Sequence, residues 1–155
     1  MRMSDPLRVL FVCTHNSARS QMAEGFLNEL GEGRFRAFSA GIRARGLHPF
    51  SIQAMAEVGI DISLQQSKTL DPFVDQPFDL VITVCDEANE ACPYFANARE
   101  QRHWSFPDPS AVAGDEARYA AFVVVRDAIR ERIEHREPDG RHVVTDDDQN
   151  ARRIG

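Results

Sequence analysis

The sequence predicts a single α/β domain, a three-layer sandwich with a four-stranded parallel sheet and helices on both faces. Short apolar runs at 8–12 and 78–84 are typical of strands buried on both faces, as parallel strands are. Segments with apolar residues at helical spacing alternate with such runs, and this alternation produces parallel strands joined by helical crossovers. The chain of 155 residues is long enough to bury the core of one such domain.

Each element has a local signal. Gly31 and Gly59 end the first two helices, since glycine is common just past a helix C-terminus. Pro49 opens the second helix, where a missing N–H costs nothing. Phe122 and Ile129 belong to an apolar stripe in the last helix. The predicted order is strand 8–12, a helix to residue 30, strand 35–40, helix 50–58, a loop with a short helical piece over 60–75, strand 78–84, strand 103–106 and helix 115–137.

Composition limits the functional classes. The domain is expected over residues 7–140, with a flexible acidic tail over 141–155. The net charge is −6, from 24 acidic against 18 basic residues, and no basic stripe is present, so nucleic-acid binding is not expected. No apolar stretch is long enough for a membrane span or a signal peptide, which predicts a cytoplasmic protein without membrane contact. No surplus apolar surface is evident, which favours a monomer.

The loop at 13–20, with the sequence CTHNSARS, carries the main functional signal. The first strand delivers Cys13 to the carboxyl edge of the sheet, where ligands of such folds bind. Backbone N–H groups of the loop and the start of the next helix face the same point, which suits a tetrahedral oxyanion. Arg19 supplies a planar fork that can hold two anion oxygens. The predicted oxyanion-binding residues are Thr14, His15, Asn16, Ser17, Ala18, Arg19 and Ser20.

Cys13 is the predicted nucleophile. A free thiol is only about 3% ionised at pH 7, and a helix N-terminus with a nearby cation raises the ionised share. Ser20 is placed to donate a hydrogen bond to the sulfur, which favours the charged form. A buried strand-end cysteine with an unrelated arginine is the simpler alternative. The coincidence of strand, loop and helix signals favours the nucleophile.

Two further cysteines follow the third strand. Cys85 leaves that strand as Cys13 leaves the first, so both thiols are expected at the same sheet edge. Cys92 comes after a helix-prone stretch, and two turns of helix would hold the pair about 10 Å apart, beyond disulfide reach. Joining them requires that helix to unwind, and two buried cysteines without shared chemistry remain an alternative. A metal site is not expected, because no closely spaced Cys or His pair accompanies them.

Asp108 lies between Pro107 and Pro109, which fix its loop. If the loop folds over the sheet edge, Asp108 is suited to protonate a leaving oxygen. An ordinary turn aspartate explains the same residues equally well. His15 is too close to Cys13 in the chain to act as a base in line with the attack, and it is interpreted as a loop residue.

Four segments together resemble a known family. The residues at 12–21, 59–63, 81–93 and 103–109 are similar in order and spacing to thioredoxin-coupled arsenate reductases, which share the low-molecular-weight protein tyrosine phosphatase fold. The resemblance covers roughly residues 7–137. It implies a role in arsenic detoxification, with arsenate as the substrate and phosphate or sulfate as analogues.

The resemblance implies a role for each residue. Cys13 attacks arsenate, Arg19 and the loop amides hold the oxyanion, and Asp108 protonates the departing hydroxide. Cys85 then attacks Cys13 and arsenite leaves, after which Cys92 attacks Cys85. The resulting disulfide lies on an unwound segment, where thioredoxin would reduce it. No bound cofactor is implied.

This chain departs from the family at two places. His15 stands where a glycine is usual, which predicts an uncommon backbone conformation at that residue. Some members seat potassium below the loop at positions that match Asn16, Glu24, Ser39 and an acid where this chain has Lys68. An ammonium group at Lys68 is expected to replace the ion, so no potassium requirement is predicted.

The same residues allow two other functions, a phosphatase and a sensor. The main alternative is a phosphatase for phosphotyrosine or a small phosphoester that uses Cys13, Arg19 and Asp108. Against it, Ser110 follows the Asp-Pro pair where tyrosine phosphatases of this fold tend to have an aromatic residue, and their second loop cysteine is Ala18 here. Weak phosphatase activity is still expected. The non-enzymatic alternative, a sensor of arsenite or redox state, needs three thiols close together at rest.

Overall fold

A computed structural model of the chain describes residues 5–86 and 98–135. Four parallel strands form one sheet in the order β2-β1-β3-β4, which confirms the predicted fold class. The elements are β1 (Leu7–Cys13), α1 (Arg19–Leu30), β2 (Phe35–Gly41), α2 (Pro49–Glu57), a 3-10 helix (Asp71–Phe73), β3 (Phe78–Thr83), β4 (Ala98–His103), a second 3-10 helix (Pro109–Ala111) and α3 (Asp115–Glu134).

The core lies on both faces of the sheet. Alternate residues of β1 point to opposite sides, as strand geometry requires. Phe11 packs on one side among buried residues of all three α-helices, which include Phe26 and Phe122. Val12 packs on the other side with Phe73 of the first 3-10 helix. Because the central strands β1 and β3 are covered on both faces, they are apolar along most of their length, and the carboxyl edge of the sheet carries the site.

Two predicted boundaries were wrong. The last strand was predicted at 103–106 and lies at Ala98–His103. Its sequence, AREQRH, is polar because β4 is an edge strand, so it has no apolar signal. The apolar signal came from Trp104 and Phe106, which follow the strand and are buried in the core. The last helix ends at Glu134 rather than at 137, and the predicted tail over 141–155 lies outside the described residues.

No helix in the described part of the chain is both long and apolar enough to cross a membrane.

Candidate active site

The loop between β1 and α1 turns its carbonyl oxygens outward. The flanking segment, residues 42–48, bonds four of them: the N–H groups of Ile42, Arg43, Arg45 and His48 donate to Cys13, Thr14, His15 and Ser17 at 3.3, 2.9, 3.1 and 3.0 Å. The carbonyl of Asn16 accepts from Ser67 Oγ at 2.9 Å and from Gln21 Nε2 at 3.1 Å. Since these carbonyls point outward, the loop N–H groups turn toward the interior and form a concave set of donors.

Gly41 allows the flanking segment to approach the loop. A Cβ atom there would lie 2.7 Å from the carbonyl oxygen of Arg43 and 2.8 Å from the nitrogen of Asn16. Such short contacts are sterically forbidden, so only glycine can end β2 beside the loop.

The backbone reversal in the loop occurs at Asn16, with φ of 47°. The prediction of an uncommon conformation at His15 was wrong, because that residue is not among those with positive φ in the described chain. Asparagine adopts this region more readily than most residues. Its side chain also holds the turn, since Oδ1 accepts from the backbone nitrogen of Lys68 at 2.7 Å and from Gln21 Nε2 at 2.9 Å.

Cys13 is a free thiol at the floor of the loop, with 2% of its surface exposed. Its Sγ lies 2.8 Å from Ser20 Oγ. The backbone N–H of Lys68 fixes the orientation of the Asn16 amide, so Asn16 Nδ2 donates to Ser20 Oγ at 2.8 Å. Because the Ser20 oxygen accepts this bond from Asn16, the single hydroxyl hydrogen of Ser20 is available to donate to the Cys13 sulfur. The arrangement stabilises a thiolate at Cys13.

Arg19, the first residue of α1, is 2% exposed and faces the Asp108 loop. Its Nη1 donates to the carbonyl of Phe106 at 3.1 Å, and its Nη2 lies 3.8 Å from Asp108 Oδ2. The other oxygen of Asp108 accepts from the nitrogen and the hydroxyl of Ser110 at 2.9 and 2.7 Å. The loop therefore does fold over the sheet edge, and Oδ2 is the oxygen of Asp108 that turns toward Arg19.

Cys85 lies at the same edge of the sheet as Cys13. β3 runs beside β1 with Val12 opposite Thr83, and the nitrogen of Val84 donates to the carbonyl of Val12 at 2.8 Å. Cys85 follows directly, is fully buried and is disulfide-bonded. The predicted common edge is therefore present. Cys92 lies outside the described residues.

A polar segment under the loop was missed by the sequence analysis. Gln65 Nε2 donates to the side-chain and backbone oxygens of Gln21 at 2.8 and 3.0 Å, and Gln21 in turn donates to the carbonyl of Gln66 at 2.9 Å. Together with Ser67 and Lys68, these residues buttress Asn16 from below. The signal that could have found them is the polar run that directly follows a buried Ile62.

The residues at the potassium-site positions are connected below the loop. Ser39 Oγ donates to Glu24 Oε1 at 2.6 Å. Burial raises the pKa of Glu24, while the Ser39 hydrogen bond and the positive charge of Lys68 act in the opposite direction. Among residues 5–86 and 98–135 no three His, Cys, Asp or Glu side chains cluster as a metal site would require.

The geometry defines an enzyme class in which a thiol at the floor of an oxyanion loop reacts with a tetrahedral anion. The chain belongs to the family described as low molecular weight phosphotyrosine protein phosphatase, which it matches over residues 8–137. It is 45% identical to the arsenate reductase of Halalkalibacterium halodurans over 126 residues, 81% of this chain and 91% of that protein. It is 43% identical to the arsenate reductase of Bacillus subtilis over the same length and coverage.

Solved structures agree with these relatives. One described as an arsenate reductase in the phosphate binding state has a TM-score of 0.69 and 38% identity, and the match covers 81% of this chain and 92% of that one. The Corynebacterium glutamicum thioredoxin-dependent arsenate reductase has a TM-score of 0.60 and 27% identity, with 84% of this chain and 61% of that one covered. The resemblance to arsenate reductases is confirmed.

Proposed function

We propose that this chain reduces arsenate to arsenite by a relay of three thiols, with thioredoxin as the electron donor, and so detoxifies arsenic. The proposal is supported by the arsenate reductases among its relatives. The observation that carries it beyond a phosphatase is Cys85, a second cysteine at the same edge of the sheet as the free Cys13. A phosphatase needs only the first of these two sulfur atoms.

The first step is attack on arsenic. The loop amides and Arg19 hold the oxyanion against the Cys13 thiolate, which the Ser20 hydroxyl stabilises. Sulfur bonds to arsenic and a hydroxide leaves. Asp108 donates the proton through Oδ2, so the leaving group departs as water. Arg19, near the same oxygen, helps to orient Asp108.

The second step moves the electrons. The Cys85 thiolate attacks the sulfur of Cys13, and the electron pair of the sulfur–arsenic bond passes to arsenic, which leaves as arsenite. Cys92 then attacks Cys85 and frees the Cys13 thiolate. A disulfide between Cys85 and Cys92 is the product, and two thiols of thioredoxin reduce it.

This cycle needs no bound cofactor, because thioredoxin supplies both electrons. It fits a monomer in the reducing cytoplasm, where thioredoxin keeps thiols reduced.

A coupled assay separates the candidate functions. Arsenate-dependent oxidation of NADPH is followed with thioredoxin and thioredoxin reductase for the wild type, Cys92→Ser and Cys13→Ser. The relay predicts many turnovers for the wild type, at most one for Cys92→Ser and none for Cys13→Ser. Hydrolysis of p-nitrophenyl phosphate, which needs only the first thiol, should survive in Cys92→Ser.

Two results would contradict the proposal. If the wild type hydrolyses phosphoesters efficiently but turns over no arsenate, the chain is a phosphatase. If no variant turns over either substrate while arsenite binds the thiols tightly, the chain is a sensor.

A further inference from the structure

A cavity of about 380 Å³ opens beside the oxyanion loop. This volume is within the range of roughly 300–1,000 Å³ typical of small-molecule sites. The cavity begins at the loop itself, since two loop residues line it, and it continues along the flanking segment to the start of α2 and α3. Its lining residues are His15, Ser17, Arg45, Gly46, Leu47, His48, Pro49, Ser110 and Arg118.

The lining of this cavity is cationic. The lining residues include Arg45 and Arg118, and none of them is Asp or Glu. Asp115 is not a lining residue, but its Oδ1 lies 2.8 Å from Nη1 of Arg118 and partly offsets that positive charge. Water screens this ion pair, because the Asp115 side chain is 88% exposed. Asp108 is not a lining residue, but its negative charge opposes the effect of Arg118 on the pKa of His48. The cavity is therefore a local concentration of positive charge in a chain of net charge −6, and such a concentration attracts anions.

The two arginines are held in different ways. The side chain of Arg118 is anchored, since its Nε donates to the carbonyl of Val112 at 2.9 Å. Arg45 is exposed, but its backbone nitrogen is bonded to His15 of the loop. The backbone of Arg45 is therefore fixed relative to the loop, and Arg45 forms part of the cavity wall.

The cavity wall has no phenyl or indole ring among its lining residues. The only side chain contributed by the Asp108 loop is that of Ser110, whose hydroxyl is bonded to Asp108. The aromatic rings among the lining residues are the imidazoles of His15 and His48.

We propose that this cavity is a second anion subsite, through which the protein binds small molecules that carry a tetrahedral oxyanion and a second negative group a few bonds away. The oxyanion occupies the loop, and the second group contacts Arg45 and Arg118. The ligand class is thus phosphomonoesters or phosphonates with a nearby carboxylate or phosphate. The inference concerns the neighbourhood of the proposed arsenate site and does not require that arsenate be reduced.

The test compares two ligands that differ in the second charge. Phosphonoacetate carries a phosphonate and a carboxylate, whereas methylphosphonate carries the phosphonate alone. Their dissociation constants are measured by calorimetry on the wild type, Arg45→Gln and Arg43→Gln at low ionic strength. Arg43 is the matched control, since it is exposed on the same flanking segment but does not line the cavity. Binding is measured directly, so failure of arsenate reduction would not affect the result.

We expect phosphonoacetate to bind the wild type about tenfold more tightly than methylphosphonate, as a charge-assisted contact allows. Arg45→Gln should lose most of this preference without changing methylphosphonate binding, and Arg43→Gln should retain it. An equal affinity for the two ligands in the wild type would overturn the proposal. So would an equal loss in both variants, which would indicate only a general attraction of anions to positive charge.

Discussion

Replacing Ser20 with alanine tests how the fold holds the Cys13 thiolate. The substitution removes the hydroxyl 2.8 Å from Cys13 Sγ and leaves Asn16 Nδ2 without its acceptor. A hydrogen bond to a charged group contributes about 1.5–3 kcal/mol, which corresponds to a factor of roughly 10 to 150 in a rate or an equilibrium constant. The rate of arsenate reduction and the rate of Cys13 alkylation at neutral pH should each fall by up to about that factor.

The measurement is the coupled NADPH assay from pH 6 to 9, together with the rate of Cys13 alkylation in a Cys85→Ser, Cys92→Ser background. Ser17→Ala is the control, because its hydroxyl lies in the same loop and has no hydrogen bond in the described chain. Ser20→Ala also leaves a buried amide unsatisfied, which costs about 1–3 kcal/mol of stability, so thermal unfolding is measured alongside. A Ser20→Ala protein with wild-type rates of arsenate reduction and of Cys13 alkylation would refute the reasoning.

Three further outcomes follow from the site. Asp108→Asn should lower kcat for arsenate reduction by about 10²–10⁴-fold, the usual contribution of a general acid, with oxyanion binding retained; kcat within tenfold of the wild type would contradict this role. Burial and the positive charge of Arg118 lower the pKa of His48, whose Nδ1 caps α2 by accepting a hydrogen bond from the backbone nitrogen of Phe50. Neutral His48 therefore stabilises the fold above the ordinary histidine pKa, and this stability is lost as pH falls through the lowered pKa. His48→Asn keeps a cap and removes the titration, so its unfolding free energy in urea should change less between pH 7.5 and 5 than that of the wild type; an equal change would contradict this. Exchange of sodium for potassium should leave turnover unchanged because Lys68 supplies the positive charge near Glu24; a several-fold rise would show that an ion is needed.

Most of the fold was predictable from the sequence because β1 and β3 are buried on both faces and are therefore apolar along most of their length. β4 was misplaced for the opposite reason. It lies at the edge and has a polar sequence, whereas the apolar Trp104 and Phe106 beyond its end serve the core rather than the sheet. Local hydrophobicity reports burial, and burial coincides with strand structure only in the interior of the sheet.

For the site, residue types were predictable and their fine geometry was not. The Cys13 loop was evident because nucleophile, arginine and helix start are adjacent in sequence. Long-range contacts carry no such local signal: the amide of Asn16 is oriented by Lys68, 52 residues away, and Arg19 meets the carbonyl of Phe106 across 87 residues. The reversal at Asn16 rather than at His15 depends on the same distant partner.

The relay itself is tested most directly by mapping the disulfides after a single turnover. Fully reduced protein is mixed with arsenate without thioredoxin, quenched with acid and digested with trypsin. Peptide 69–99 contains both Cys85 and Cys92, and peptide 9–19 contains Cys13. The account predicts that peptide 69–99 becomes lighter by two hydrogens while peptide 9–19 stays a free thiol, and that in Cys92→Ser the two peptides become linked. Peptides that remain fully reduced after incubation with arsenate would contradict it.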